Sequence, residues 1–222
     1  MPRAVYEGLG NTFVISFAAP VDEAAARQVC EAEHVDGIIN ATPGADGADL
    51  TMVLRNADGG RAEVSGNGLA CLGRAAVDEG VVTGPEVIVD TDAGRRRVHV
   101  AALVTVAMGE PTIKDADDGA LYVDVGNPHL VFATGDVLAL GRDHLDVNVE
   151  VIARTSADAI DMQVHERGVG ITEACGTGAY ASAAAARQWG WVGDTVTVRQ
   201  PGGTALVDLV AGTYAVEVTR CR

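Results

Sequence analysis

The sequence predicts an α+β chain made of two similar halves, on three observations. Short runs rich in β-branched residues, bounded by Gly, Asp or Pro, recur along the whole chain and read as strands. Helical stretches are few and do not alternate with the strands, which argues against a βαβ architecture. A six-residue phrase occurs twice: residues 63–68 read EVSGNG and residues 173–178 read EACGTG, 110 positions apart.

Taken in order, strands are predicted at 11–17, 49–55, 86–91, 97–108, 121–125, 129–133, 161–166, 194–200, 204–210 and 213–219. Helices are predicted at 21–33, which follows Pro20 and carries acids in its first turn, and at 67–79 and 177–189, each directly after a copy of the phrase. The last two are Ala-rich, as suits a helix pressed against close neighbours. The polar, turn-rich segment PTIKDADDG at 111–119 marks a boundary, giving domains 1–112 and 113–222 with the last strand able to pack back on the first half. Sliding the chain by 110 places Ser65 on Cys175, Glu63 on Glu173 and Asn56 on Glu166. Upstream, a Gly-Asn opens a strand in each half, as GNTFVI at 10–15 and GNPHLV at 126–131. Flanking elements matched in the same order favour duplication over chance.

The 222 residues suffice for one large domain or two of about 100 residues each. A formal charge of -15 argues against nucleic acid or an anionic membrane surface as partner, while a local site can still oppose the global field for a small anionic substrate. No apolar run approaches the roughly 18 residues of a membrane span, and MPRAVYEGLG lacks the apolar core of a signal peptide. Cys30, Cys71, Cys175 and Cys221 form no CxxC pair or Cys/His ligand cluster, so no metal site is expected and free thiols in a reducing cytoplasm are the natural reading. No phosphate loop or dinucleotide fingerprint is present, and GNGLACLG is a weak glycine pattern, so chemistry without a cofactor is expected.

Each copy of the phrase lies between a strand-like segment and a helix. The first N–H groups of such a helix have no intrahelical partner and, with the partial positive charge there, suit a carboxylate. A thiol in this place is expected to have a lowered pKa, which makes Cys175 a candidate base. Two such helices related by pseudo-symmetry would bring residues 65 and 175 to opposite sides of one cleft, an arrangement suited to stereochemical inversion at a carbon next to a carboxylate. Cys71 lies six residues beyond Ser65, near the opposite side of a helix, so it is not expected to replace a thiol at 65.

The phrases GNTF, RNADGGRAEVSGNG, DVGNPHLVF, DVNVEV, HERGVGITEACGTGA and RQPGGTALV together resemble diaminopimelate epimerase, of the pyridoxal-phosphate-independent amino-acid racemase superfamily, from about residue 8 to the C-terminus. The resemblance implies two pseudo-symmetric domains, each a mixed sheet or open barrel around a central helix, with the active site between them. It implies inversion of the α-carbon of LL-diaminopimelate to the meso form, feeding lysine and peptidoglycan synthesis, with a small amino acid as the only ligand. A homodimer is common in the superfamily, and the apolar run at 213–219 could serve one as well as it serves strand packing. By motif, the resemblance puts substrate-binding asparagines at Asn11, Asn56, Asn127 and Asn148, and a substrate-contacting pair at Glu166 and Arg167. It puts backbone cradles at Gly66 with Asn67 and at Gly176 with Thr177. Cys175 and Glu166 stand among the catalytic groups, with His129 near the reacting centre. Arg167 is suited to a bidentate grip on a carboxylate; Asn56, in NADGG, also suits a plain turn.

The departures fall mostly in the first half. Ser65 stands where the family has its other catalytic cysteine, Thr12 where it has an aspartate, and GNGLAC lacks an arginine just inside the helix. A serine hydroxyl is a far weaker acid than a thiol, so it is a poor base, yet it can donate a proton. Three readings of Ser65 follow: an introduced substitution that traps the enzyme, a divergent relative using a Ser/Cys pair on this or another amino acid as epimerase or dehydratase, or a relative that binds without catalysis.

Overall fold

Both Ala-rich stretches that follow the repeated phrase form helices, and each is packed against strands of its own half. The computed structural model describes residues 4–222 and groups them into two units. The first runs to Val106 and regains Val216–Arg222; the second is Ala107–Ala215. The first contains strands β1 (Ala4–Gly8), β2 (Asn11–Ser16), β3 (Gly37–Pro43), β4 (Leu50–Asn56), β5 (Arg61–Ala62), β6 (Glu86–Thr91), β7 (Gly94–Val100) and β8 (Val104–Ala107), with helices α1 (Glu23–Glu33) and α2 (Gly66–Asp78). The second contains β9 (Thr112–Asp115), β10 (Leu121–Asp124), β11 (Pro128–Phe132), β12 (Asn148–Arg154), β13 (Ala159–Glu166), β14 (Gly170–Thr172), β15 (Thr195–Gln200), β16 (Gly203–Asp208) and β17 (Thr213–Val216), with helices α3 (Val137–Asp143) and α4 (Gly176–Gln188). The closing strand β18 (Val218–Arg220) pairs with β1 in the first unit.

The strands of the two units pair in one topology. The first runs in the order β18, β1, β2, β3, β4, β6, β7, β8, and the second in the order β9, β10, β11, β12, β13, β15, β16, β17. In both, the third and fifth pairings are parallel and all others antiparallel. The short strands β5 and β14 pair with β4 and β13 at the same place in each. The registers identify equivalent residues. Phe13 pairs with Gly37 where His129 pairs with Asn148, and Ile15 pairs with Ile39 where Val131 pairs with Glu150. Gly37 in turn faces Asn56, and Val149 faces His165, one residue short of Glu166. Gly10 and Gly126, the glycines of the two Gly-Asn dipeptides, both take the left-handed backbone that turns the chain into β2 and β11.

The composition of α4 follows from its surroundings. It touches strands β10, β11, β12, β13, β15 and β16, and its residues from Gly176 to Ala186 are buried. Alanine lets the backbone approach so many neighbours at no rotamer cost. Helix α2 is wider on its buried side, with Leu69 and Leu72 fully enclosed; each such leucine contributes about 1.5–3 kcal/mol of apolar burial.

Several expectations shift in detail. The run 97–108 is two strands, β7 and β8, separated by the bend at 101–103. The run 213–219 is also two strands, because β17 pairs with β16 while β18 pairs with β1. Tyr214 and Val216 are buried within the chain, which accounts for the apolar character of that run. The polar segment 111–119 is partly β9, paired with β10, so the division between the units lies just before it. Helix α3 was not predicted; it is short, and Asp136 caps it by accepting the Ala139 N–H at 2.8 Å. No helix among the described residues is long and apolar enough to cross a membrane.

Candidate active site

The second unit holds the more polar of the two repeated sites. Cys175 is the N-cap of α4, in extended backbone, and its Sγ accepts the Gly178 N–H at 3.3 Å. The same sulfur lies 3.4 Å from Thr177 Oγ1, and the Cys175 N–H donates to Gln200 Oε1 at 2.7 Å. Glu166, at the end of β13, accepts the Thr172 hydroxyl at 2.6 Å. Burial raises the Glu166 carboxyl above its usual range, and the Thr172 hydrogen bond only partly opposes this.

The Cys175 pKa is raised, against the expected lowering. Burial, then the charges of Glu166 and Glu150, hold the thiol well above its ordinary value, while the Thr177 and Gly178 hydrogen bonds pull it down. The helix start acts in the anticipated direction, but desolvation and two flanking carboxyl groups outweigh it.

Behind Cys175 runs a chain of hydrogen bonds. Asn127 donates from Nδ2 to Thr177 Oγ1 at 3.2 Å. His129 Nε2 lies 3.1 Å from Asn127 Oδ1, and its Nδ1 lies 2.7 Å from Glu150 Oε1. His129 and Glu150 are both fully buried. Asn148 uses its amide on the backbone, donating to Pro128 O at 2.9 Å and accepting the Arg167 N–H at 3.0 Å. It thereby ties the start of β11 to the turn carrying Arg167.

The first unit repeats the framework with different chemistry. Ser65 is the N-cap of α2, with backbone angles of -137° and 127° against -138° and 118° at Cys175. Its Oγ accepts the Gly68 N–H at 3.0 Å. Asn67, fully buried and equivalent to Thr177, donates from Nδ2 to Asn11 Oδ1 at 2.6 Å. Phe13 and Ile39 occupy the places of His129 and Glu150. Thr12 donates its N–H and hydroxyl to Asp36 Oδ2, at 2.7 and 3.0 Å. Asn56 closes β4 opposite Gly37, and its N–H and carbonyl form the turn with Gly60 and Gly59. Cys71 is buried inside α2, where desolvation pushes its thiol far up.

Thus the fold links Cys175, Thr177, Asn127 and His129 into one cluster, sets Glu166 beside the thiol, and brings Ser65, Asn67 and Asn11 together at the start of α2. Gly66 and Gly176 are the first residues of the two helices. Sequence reasoning missed Glu150 and Gln200. Glu150 had a signal, a lone acid within the apolar NVEVIA of β12.

Residues 3–114 and 121–220 match the pattern of the family described as diaminopimelate epimerase. The diaminopimelate epimerase of a Picosynechococcus species is 34% identical over 261 aligned positions, covering 96% of this chain and 93% of that protein. That of Rhodococcus opacus is 36% identical over 209 positions, covering 79% of this chain and 72% of that protein. Among solved structures, a hydroxyproline epimerase of Agrobacterium vitis superposes with a TM-score of 0.72 at 16% identity, covering 98% of this chain and 88% of that one. A phenazine biosynthesis protein of Bacillus anthracis gives 0.76 at 11% identity, covering 99% and 96%. At such identities these two likenesses speak for the fold.

Proposed function

Because the chain belongs to the diaminopimelate epimerase family, we propose that it is an isomerase that inverts the α-carbon of diaminopimelate, interconverting the LL and meso forms without a cofactor in the route to lysine. The observation that carries the reading is Cys175 capping the buried start of α4, with Glu166 beside it and N–H groups of the first turn at hand. Epimerisation needs a base on one face of the α-carbon and an acid on the other. Cys175 is the base and Ser65, through its hydroxyl, the acid. The N–H groups at Gly66 with Asn67 and at Gly176 with Thr177 receive the substrate carboxylate and the charge that develops on it. Asn11, Asn56 and Asn127 orient the amino and carboxylate groups, Arg167 holds a carboxylate, and Asn148 positions Arg167 through its backbone. The substrate's ammonium group offsets the charge of Glu166 and so eases ionisation of Cys175.

The same reading places the enzyme in the cytoplasm. A homodimer would use a face other than 213–219, where Tyr214 and Val216 are already buried. A second reading, epimerisation of a different amino acid, draws on the departures around Ser65, above all Thr12 and the GNGLAC stretch without its arginine.

The test is conversion of LL-diaminopimelate, followed by chiral chromatography. Meso product is expected from the purified protein and is lost in Cys175→Ala, by about 10²–10⁴-fold for removal of a general base. Silence in both the wild type and Ser65→Cys would exclude diaminopimelate as the substrate.

A further inference from the structure

The two units differ in the direction in which one amide points. In the first unit, Asn11 turns its Oδ1 toward Asn67 at the helix start, at 2.6 Å. In the second, Asn127 turns its Nδ2 toward Thr177 at the equivalent place, at 3.2 Å. The difference correlates with what stands behind each asparagine: Phe13 in one case and His129 in the other. We propose that His129, held by Glu150, is a positioning residue that fixes the Asn127 amide and thereby directs the Thr177 hydroxyl proton at Cys175 Sγ. The inference rests on the reading of Cys175 as the base.

The donor and acceptor inventory leaves one consistent arrangement. Asn127 Oδ1 can only accept, so His129 Nε2 carries a proton. This holds whether the second proton of the buried pair sits on His129 Nδ1 or on Glu150, since the pair is neutral in both tautomers. Asn127 Nδ2 then donates to Thr177 Oγ1, and the single hydroxyl proton of Thr177 is left for the sulfur at 3.4 Å. Each link donates toward Cys175. Glu150 is anchored for this duty. It is fully buried, its Oε2 has no hydrogen-bond partner, and its Oε1 lies 2.6 Å from where a Cβ on Gly178 would stand. Glycine at 178 therefore makes room for the carboxyl at the positive end of α4. In the first unit Gly68 meets Ile39 instead, and Phe13 and Ile39 stand where the second unit has His129 and Glu150.

The titratable groups facing Cys175 are Glu166 from β13 and Glu150 from β12, with His129 of β11 reaching it through Asn127 and Thr177. A positioning role and a purely electrostatic one can be told apart by replacing the pair with the residues of the first unit. His129→Phe with Glu150→Ile removes an acid and a base together, and the first unit shows that this framework accommodates Phe and Ile at these places. With Phe behind it, Asn127 is free to present Oδ1 to Thr177, as Asn11 presents its oxygen to Asn67, and the hydroxyl proton turns away from the sulfur.

The experiment follows the Cys175 13Cβ resonance against pH in the unliganded protein, assigned with Cys175→Ala. The paired change is expected to move the thiol titration about one pH unit further upward in the wild type than in Thr177→Val, the size of a lost hydrogen bond to a charged group. Thr177→Val alone is expected to give a rise of that size. Because the paired change also removes the Glu150 charge that holds the thiol up, it is judged against the same change made in Thr177→Val: a titration shift equal in the two backgrounds overturns the proposal. If that variant does not fold, an unchanged titration in Thr177→Val overturns it alone. Because no substrate is used, failure here is distinct from failure of the epimerase reading, which is judged by product.

Discussion

Ser65 Oγ accepts the Gly68 N–H at 3.0 Å, so the residue that stands in the first unit where the second has Cys175 also closes the start of α2. Ser65→Ala is expected to cost about 1 kcal/mol as a lost helix cap. Ser65→Cys keeps an acceptor there, as Cys175 Sγ does for Gly178 at 3.3 Å, and is expected to cost less. Urea unfolding midpoints of the two variants check this order.

The glycines one turn into each helix are expected to respond differently. A Cβ at Gly178 would lie 2.6 Å from Glu150 Oε1, the carboxyl oxygen held against His129. A Cβ at Gly68 would lie 3.0 Å from the tip of Ile39, which can move. Gly178→Ala is therefore expected to destabilise by about 1–3 kcal/mol as an overpacked site. Gly68→Ala is expected to change stability by no more than about 1 kcal/mol, since alanine's helix propensity offsets the crowding. Thermal unfolding of the two variants decides.

Cys175 should react late in a pH titration. With the thiol held up by burial and by the charges of Glu166 and Glu150, its alkylation by iodoacetamide is expected to keep rising above about pH 8.5, the ordinary thiol value. Glu166→Gln removes one of those charges and is expected to shift the profile to lower pH. Peptide mass spectrometry separates Cys175 from Cys221, the exposed cysteine.

Alkaline stability reports on the first unit. Tyr6 donates to Asp78 Oδ2 at 3.1 Å, and burial with the Asp78 charge pushes its phenol up to about 12. The folded state then keeps a proton that the unfolded chain releases near its own value of about 10. Stability is thus expected to be undiminished below pH 10 and to fall as pH rises from about 10 to 12. In Tyr6→Phe this loss is expected to flatten, with a constant cost of about 1 kcal/mol from the missing hydrogen bond at neutral pH. Urea unfolding between pH 7 and 11 checks both.

Much of this was legible in the sequence, for identifiable reasons. The repeated phrase located the starts of α2 and α4 within one residue, because a capping side chain followed by glycines is a local signal. The offset of 110 placed Asn56 on Glu166, and the strand registers agree, since Gly37 faces Asn56 and Val149 faces His165 beside Glu166. Strands β1, β3, β5, β9, β12 and β14 were not predicted; β3 carries a mid-strand asparagine and β12 a buried acid, which blur the apolar pattern, while β5 and β14 have only two and three residues. Glu150 was missed because its partner His129 lies on the neighbouring parallel strand, 21 residues away, and only register brings them together. The Cys175 pKa was misjudged because a helix start can be read from sequence, whereas burial beside Glu166 and Glu150 is a tertiary property.

The most direct test is incubation in D2O with LL- and meso-diaminopimelate separately, following α-deuterium incorporation by NMR and inversion by chiral chromatography. With Cys175 as the thiol base and Ser65 as a weaker partner, one isomer is expected to exchange its α-proton faster than it inverts. Ser65→Cys is expected to bring inversion up toward exchange, and Cys175→Ala to abolish both. Full exchange and inversion in Cys175→Ala would contradict the assignment of the base, and no exchange of either isomer by wild type or Ser65→Cys would contradict the reaction.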